Sequence, residues 1–245
     1  SAVTVAEGPV IHGAWAISPV CRDADFQTSN SVKIKARLAA NAALRRSLIS
    51  PQKRRPTRAW IAVSPITAKL RRAGTTVIEV WDLPDDPVDV AIGFSHRAIG
   101  GDLARYLRNR GHARPFLLSA TGPRARVRRE GFLTEWAAGG GALPGELQVY
   151  SPGRLADAGR CLEAMREQDE MPDAVVCTSD ILAQGVIVAA QSSGLRVPMD
   201  LAVIGFGNTL LAEDMHPSIT SVDIDGARIA REAVGVLRRR AEGLP

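Results

Sequence analysis

The sequence predicts an α/β fold built on parallel sheets, and three observations carry that expectation. First, from residue 58 onward short apolar runs recur roughly every thirty residues, the repeat of a strand, a covering helix and their turns. Second, the stretches between these runs place apolar residues at helical rather than alternating spacing. Third, the chain has 245 residues, 45% hydrophobic and 23% charged, which is globular composition with enough length for one large domain or two lobes.

The elements follow in order. Trp60 to Val63 is the first buried-strand candidate. Ile66 to Ala73 reads as a short helix that Gly74 can stop. Thr76 to Trp81 and Val88 to Phe94 are the next two strands. Gly101 to Arg110 is a helix with Leu103, Tyr106 and Leu107 on one face and Gly111 past its end. Pro115 to Ser119 is a strand, and Val127 to Ala138 a helix with Phe132, Leu133 and Trp136 inward. Leu147 to Tyr150 and Ala174 to Cys177 are strands, separated by a helix from Ala156 to Glu167. Ile181 to Ser193 is a helix, Leu201 to Phe206 a strand, and Ile229 to Ala241 the last helix. In such a sheet, loops at the carboxyl ends of the strands are where ligands bind.

The first 57 residues break the pattern. Val10 to Ile17 reads as a strand and Ala36 to Ile49 as a helix, while Ser18 to Lys35 is polar and without period. This segment holds nine basic and three acidic side chains, a net of +6, and the rest of the chain a net of −1, so the chain's +5 resides in the segment and the body is nearly neutral. A nucleic-acid surface on the body is therefore not expected. No apolar run reaches membrane-spanning length and no secretory signal is visible. Three scattered cysteines, Cys21, Cys161 and Cys177, form neither a disulfide framework nor a metal motif and point to a reducing cytoplasm.

A set of segments, taken in order, resembles the effector-binding domain of lactose-repressor-family transcription regulators. They are Val77 to Asp82, Val90 to His96, Leu107 to His112, Arg126 to Phe132, Pro172 to Gly185, Gly194 to Pro198, Leu201 to Phe206 and Pro217 to Val222. The stretch from Trp81 to Pro87 and the variant Gly205-Phe206-Gly207-Asn208 are most similar to the gluconate-type branch. The resemblance implies two Rossmann-like lobes with parallel sheets, joined by three crossovers in the type I periplasmic-binding-protein manner. Residues 1–94 with 226–245 would form the first lobe and 95–225 the second. Two departures stand out. No helix-turn-helix headpiece is recognisable in residues 1–57. The space before Trp60 is also too short for the strand, helix, strand and helix that the family places there.

The resemblance also nominates site residues, each with a plainer reading beside it. Asp82 follows a strand, where a carboxylate accepts hydrogen bonds from vicinal hydroxyls. It also sits among Pro84, Asp85 and Asp86 as a turn aspartate would. The ligand arginine of the family motif lies three residues before a glycine, and Gly131 makes that Arg128. Its guanidinium is a planar fork for a carboxylate or paired hydroxyls, whereas an arginine run is ordinarily a solvated face. Arg124 is one helical turn earlier, on the same face. In Ser179-Asp180, one member caps the following helix and the other touches ligand in the family. Phe94 is either a stacking platform or core. Gly207 replaces an aspartate common in the family, for which Asn208 would compensate, and Ser64 is a further cleft candidate.

Catalysis has little support. The four histidines lack ligand spacing, and no nucleophile elbow or phosphate-cradling loop is present. The expectation is a non-enzymatic, cytoplasmic, homodimeric effector sensor without cofactor or metal. It would bind a sugar or sugar acid and reach DNA only through a headpiece missing from this chain. The alternative is the solute-binding protein of a sugar importer, which shares the fold.

Overall fold

The computed structural model describes residues 11–12, 15–17 and 65–243. The described residues form two compact units. One holds Ile11–His12 and His96–Ile224; the other holds Trp15–Ile17, residues 65–95 and residues 225–243. The expected strand at Trp60 to Val63, the expected helix at Ala36 to Ile49 and Ser64 lie outside the described residues.

The larger unit is a six-stranded, wholly parallel sheet. Its strands are β1 (Ile11–His12), β5 (Pro115–Ala120), β6 (Gly145–Val149), β7 (Ala174–Cys177), β8 (Ala202–Gly207) and β9 (Thr220–Asp223), in spatial order β1-β9-β8-β7-β5-β6. β5 and β7 are apolar along nearly their whole length and are buried on both sides, as strands covered on two faces must be. One face of the sheet carries Phe116, Leu118, Val175, Cys177 and Val203. These pack against Cys161, Leu162 and Met165 of α4 (Asp157–Arg166) and Leu182, Val186 and Ile187 of α5 (Asp180–Ser192).

The remaining helices of this unit are α2 (His96–Asn109), α3 (Pro123–Ala138) and the short α6 (Leu210–Asp214). Helix α2 begins five residues before the expected start. The expected helix starts at Gly101 and leaves Gly100 outside, yet the structure uses Gly100 for a close crossing. A Cβ there would strike the Arg128 carbonyl oxygen and lie 2.7 Å from the Phe132 nitrogen. Gly131 is the counterpart on α3, where a Cβ would strike the Arg97 carbonyl oxygen and lie 2.9 Å from its carbon. Backbone contact this close is available only without a Cβ, and it overrides glycine's low helix propensity. Salt bridges from Arg97 to Glu130 at 2.6 Å and from Arg105 to Glu135 at 2.6 Å flank the crossing. Helix α3 also begins earlier than expected, because Pro123 takes the first turn, where its missing N–H costs nothing.

The smaller unit has a three-stranded sheet in the order β2-β4-β3, from β2 (Trp15–Ile17), β3 (Ile78–Val80) and β4 (Val90–Phe94). β3 and β4 are parallel, and β2 runs antiparallel to β4. The single strand expected over Val10 to Ile17 is therefore two strands in two sheets, with the apolar run broken at Gly13. Helix α1 (Pro65–Ala73) lies in this unit. Helix α7 (Gly226–Ala241) packs on β4 and is tied to the β3–β4 connection by Arg240 to Asp89 at 3.0 Å. Asp225 caps α7 by accepting from the Arg228 N–H at 2.9 Å. Among the described residues no helix is long and apolar enough to cross a membrane.

Candidate functional site

All strands of the six-stranded sheet point the same way, so their carboxyl ends share one edge. Three chain segments meet there: the start of α3 after β5, the β7–α5 junction and the β8–α6 junction. Arg128 rises from the second turn of α3 and is buried, with 9% of its surface exposed. Its Nη1 donates to Nδ1 of His96 at 3.0 Å, and Nη2 donates to the Thr178 carbonyl oxygen at 3.3 Å. The guanidinium carbon lies 3.9 Å from the centre of the Phe206 ring, a cation–π stack. Burial, and secondarily the charge of Arg124, bring its pKa down to about 10, so it remains a cation at neutral pH. No carboxylate among the described residues pairs with it. A small cavity of about 20 Å³ touches it, lined by Phe132, Cys177 and Phe206, with room for about one water. A second cavity of about 330 Å³ opens at the ends of β5 and β6, beside Thr121, Gly122, Arg126 and Gln148.

Arg124 is exposed while Arg128 is buried, although both lie on the same side of the helix. Arg129 points elsewhere and makes a two-pronged ion pair with Glu146, which raises its pKa. Arg126 is exposed and 3.9 Å from Glu130.

Asp180 is almost fully buried, and both its oxygens are engaged. Oδ1 accepts from the Ser221 hydroxyl at 2.6 Å; Oδ2 accepts from the Thr209 N–H at 2.8 Å and its hydroxyl at 2.9 Å. The carboxylate thereby ties β9 and the start of α6 to the first residue of α5. A Cβ on Gly205 would strike Oδ1, so that position holds a glycine. Ser179 caps α5, accepting from the Leu182 N–H at 3.3 Å. Asn208 has a left-handed backbone, φ 47°, and its N–H donates to the Ser221 hydroxyl oxygen at 2.9 Å.

Asp82 and Phe94 belong to the smaller unit. Asp82 follows β3 and accepts from the Leu83 N–H at 2.9 Å. It lies against Gly93, where a Cβ would come 2.8 Å from the Asp82 carbonyl carbon. Phe94 is buried and meets Trp81 edge-on, with ring centres 6.4 Å apart.

The fold thus gathers Arg128, Ser179, Asp180 and Asn208 at one edge of the larger sheet. Sequence reasoning did not single out His96, Thr178 or Phe206. His96 has no metal-ligand spacing to mark it; the signal for its contact is its place at the head of a helix that crosses the arginine-bearing one. Among the described residues no group of histidine, cysteine, aspartate and glutamate could hold a metal. Burial raises the Cys161 thiol to about 12 and pushes the Cys177 thiol well up from its ordinary value, so neither is a nucleophile at neutral pH.

Residues 104–245 match the family described as periplasmic binding protein-like domain. The HTH-type transcriptional repressor PurR of Pasteurella multocida is 30% identical over 164 residues, covering 66% of this chain and 49% of that protein. PurR of Erwinia tasmaniensis is 35% identical over 146 residues, covering 58% and 42%. The chain therefore matches about half the length of these curated relatives. Among solved structures, a LacI family transcriptional regulator from Silicibacter pomeroyi superposes with a TM-score of 0.67 at 27% identity, covering 73% of this chain and 67% of that one. The transcription regulator GntR from Chromobacterium violaceum gives 0.68 at 27% identity, covering 74% and 67%.

Proposed function

This chain belongs to the periplasmic binding protein-like domain family, and from that premise we propose that it is the effector-sensing part of a LacI/PurR-type transcriptional regulator, not an enzyme. The names of its relatives, transcriptional repressors and regulators, support the reading. The effector is a sugar acid. Its presence shifts the equilibrium between two states of the domain, and a separate DNA-reading head in the whole protein responds. A regulator of this kind works in the cytoplasm.

One observation carries the choice of an anionic effector. Arg128 is a buried cation whose partners are an imidazole nitrogen, a peptide carbonyl and an aromatic face, all neutral. A buried charge without a counter-charge is costly, and a carboxylate arriving beside it supplies one. Asp180 does not, because its oxygens are spent on Ser221 and Thr209. Charge-assisted hydrogen bonds of about 1.5–3 kcal/mol each separate an aldonate from the matching neutral sugar. Arg124, Ser179 and Asn208 are the further contacts proposed on this unit.

Calorimetry with D-gluconate and D-glucose tests this reading. Gluconate is expected to bind at least about tenfold more tightly, a difference of about 1.4 kcal/mol. Arg128→Lys is expected to weaken gluconate binding strongly because it loses the planar fork while keeping the charge. Arg129→Ala, whose side chain is committed to Glu146, leaves binding nearly unchanged. Equal affinities for acid and sugar, or normal binding by Arg128→Lys, would sink the assignment.

The same reading implies a homodimer, since a two-fold operator calls for a two-fold protein. Exposed apolar side chains support it: Ile181 and Val188 share a face of α5, and Tyr150 and Leu155 lie on the β6–α4 connection beside it. Sedimentation should show a dimer at tens of micromolar, roughly what an interface of standard size sustains. A monomer at that concentration contradicts it.

A further inference from the structure

We propose that His96 is a positioning residue for Arg128: its unprotonated Nδ1 orients the guanidinium for the ligand. The proposal rests on the reading of Arg128 as ligand anchor. Its structural half stands on geometry alone.

The argument starts from donors and acceptors. A guanidinium carries only N–H donors, so whatever meets it at hydrogen-bond distance must accept. Nδ1 of His96 lies 3.0 Å from Nη1 of Arg128. Nδ1 therefore bears a lone pair, and the proton of the neutral ring sits on Nε2. The contact is buried on both sides, with His96 4% and Arg128 9% exposed.

The guanidinium is held from three directions. His96 takes a proton of Nη1, the Thr178 carbonyl takes one of Nη2, and Phe206 covers one face at 3.9 Å. Two hydrogen bonds in the plane and a ring on the face fix both tilt and rotation. One proton on each terminal nitrogen, and that on Nε, remain for further bonding. Thr178 and Phe206 hold Arg128 through a backbone group and a ring face, so His96 is the polar side chain in this cradle.

The fold places the imidazole by backbone contact. His96 is the first residue of α2, one residue before Arg97, whose carbonyl abuts Gly131 of α3. Gly100, one turn along α2, abuts the carbonyl of Arg128 itself. The helix that carries the acceptor and the helix that carries the donor thus touch main chain to main chain beside the two side chains. The His96 ring also lies against Phe206, with centres 6.3 Å apart and planes tilted by 39°, so imidazole and guanidinium share one aromatic support.

Two substitutions separate the acceptor from the ring. His96→Phe keeps the ring and its contact with Phe206 but has no acceptor. His96→Asn gives up the ring but sets an amide oxygen close to the place of Nδ1. A positioning role predicts that His96→Phe loses about tenfold or more in affinity for D-gluconate, about 1.4 kcal/mol, and that His96→Asn recovers most of it. A role in packing alone predicts the reverse order, with Phe nearly normal and Asn impaired.

The second readout needs no ligand. Nitrogen-15 spectra of the imidazole in the full chain at neutral pH should show Nδ1 unprotonated and Nε2 protonated. The Nη protons of Arg128 should exchange slowly, and faster in His96→Phe. A proton on Nδ1 of the neutral ring overturns the proposal, as does normal gluconate binding by His96→Phe. If D-gluconate does not bind the parent chain at all, the sugar-acid reading fails. The spectra then decide the present proposal alone: Nδ1 unprotonated with slow Nη exchange upholds it, and any other pattern overturns it.

Discussion

Replacing Gly100 by alanine tests how the α2–α3 crossing holds the site. The new Cβ would strike the Arg128 carbonyl oxygen and lie 2.7 Å from the Phe132 nitrogen and 3.0 Å from the Arg128 carbon. Carbon contacts are comfortable at about 3.5–4.0 Å, so the helices must part by something on the order of 1 Å. All three opposing atoms belong to the backbone in the middle of a helix and have no rotamer through which to yield. Overpacking of this kind costs about 1–3 kcal/mol. Alanine's better helix propensity returns about 1 kcal/mol at most, so the net sign is destabilising. Gly159 in α4 is the internal control. It is exposed, and a Cβ there meets nothing within 4 Å. Gly159→Ala should therefore gain about 0.5–1 kcal/mol. Thermal melting of the two variants decides between packing and propensity. The expectation is a loss of several degrees for Gly100→Ala and a small gain for Gly159→Ala. Parting the helices also stretches the 3.0 Å bond from Arg128 to His96, so gluconate affinity should fall with Gly100→Ala and stay level with Gly159→Ala. If Gly100→Ala melts with or above the parent, the close crossing does not constrain the fold and the reasoning is wrong.

Two further outcomes are expected. Asp180→Asn keeps an acceptor for Ser221 but turns an amide donor toward the Thr209 N–H and hydroxyl. Loss of these part-buried hydrogen bonds to a carboxylate costs about 1 kcal/mol, measurable by urea denaturation, and an unchanged midpoint would show that the carboxylate does not tie β9 and the start of α6 to α5. Hydrogen bonds from Arg196 hold the exposed Asp200 at about 2. This pair's stabilisation is thus present above the unfolded carboxylate value of about 3.9 and is lost as pH falls through the folded value. A carboxyl-detected titration should find Asp200 moving back up toward 3.8 in Arg196→Ala, and no movement would contradict the contact.

Much of this protein was legible in one dimension. The strands over Val90 to Phe94, Pro115 to Ala120 and Ala174 to Cys177 announce themselves as apolar runs, because a parallel strand is buried on both faces and has no polar side to show. Arg128 is nominated by the family motif that sets an arginine three residues before a glycine, here Gly131, a separation that lies within one helix turn and so is visible along the chain. Asp180 was legible as part of a cap but not as a three-way tie. Its partners Thr209 and Ser221 lie 29 and 41 residues away, and only the neighbouring order β7-β8-β9 brings them to it. The first turn of α2, His96 to Gly100, lies outside the helix expected from Gly101, because glycine is a poor helix former and the sequence of one helix does not say that another helix's backbone needs the space. His96 and Arg128 are separated by 32 residues, and nothing local to either names the other. Composition and period determined which segments became strands and helices, since burial and backbone geometry act on neighbours along the chain. Which side chains met was decided by the tertiary structure, because the order of the strands and the crossing of two glycine-bearing helices set those distances.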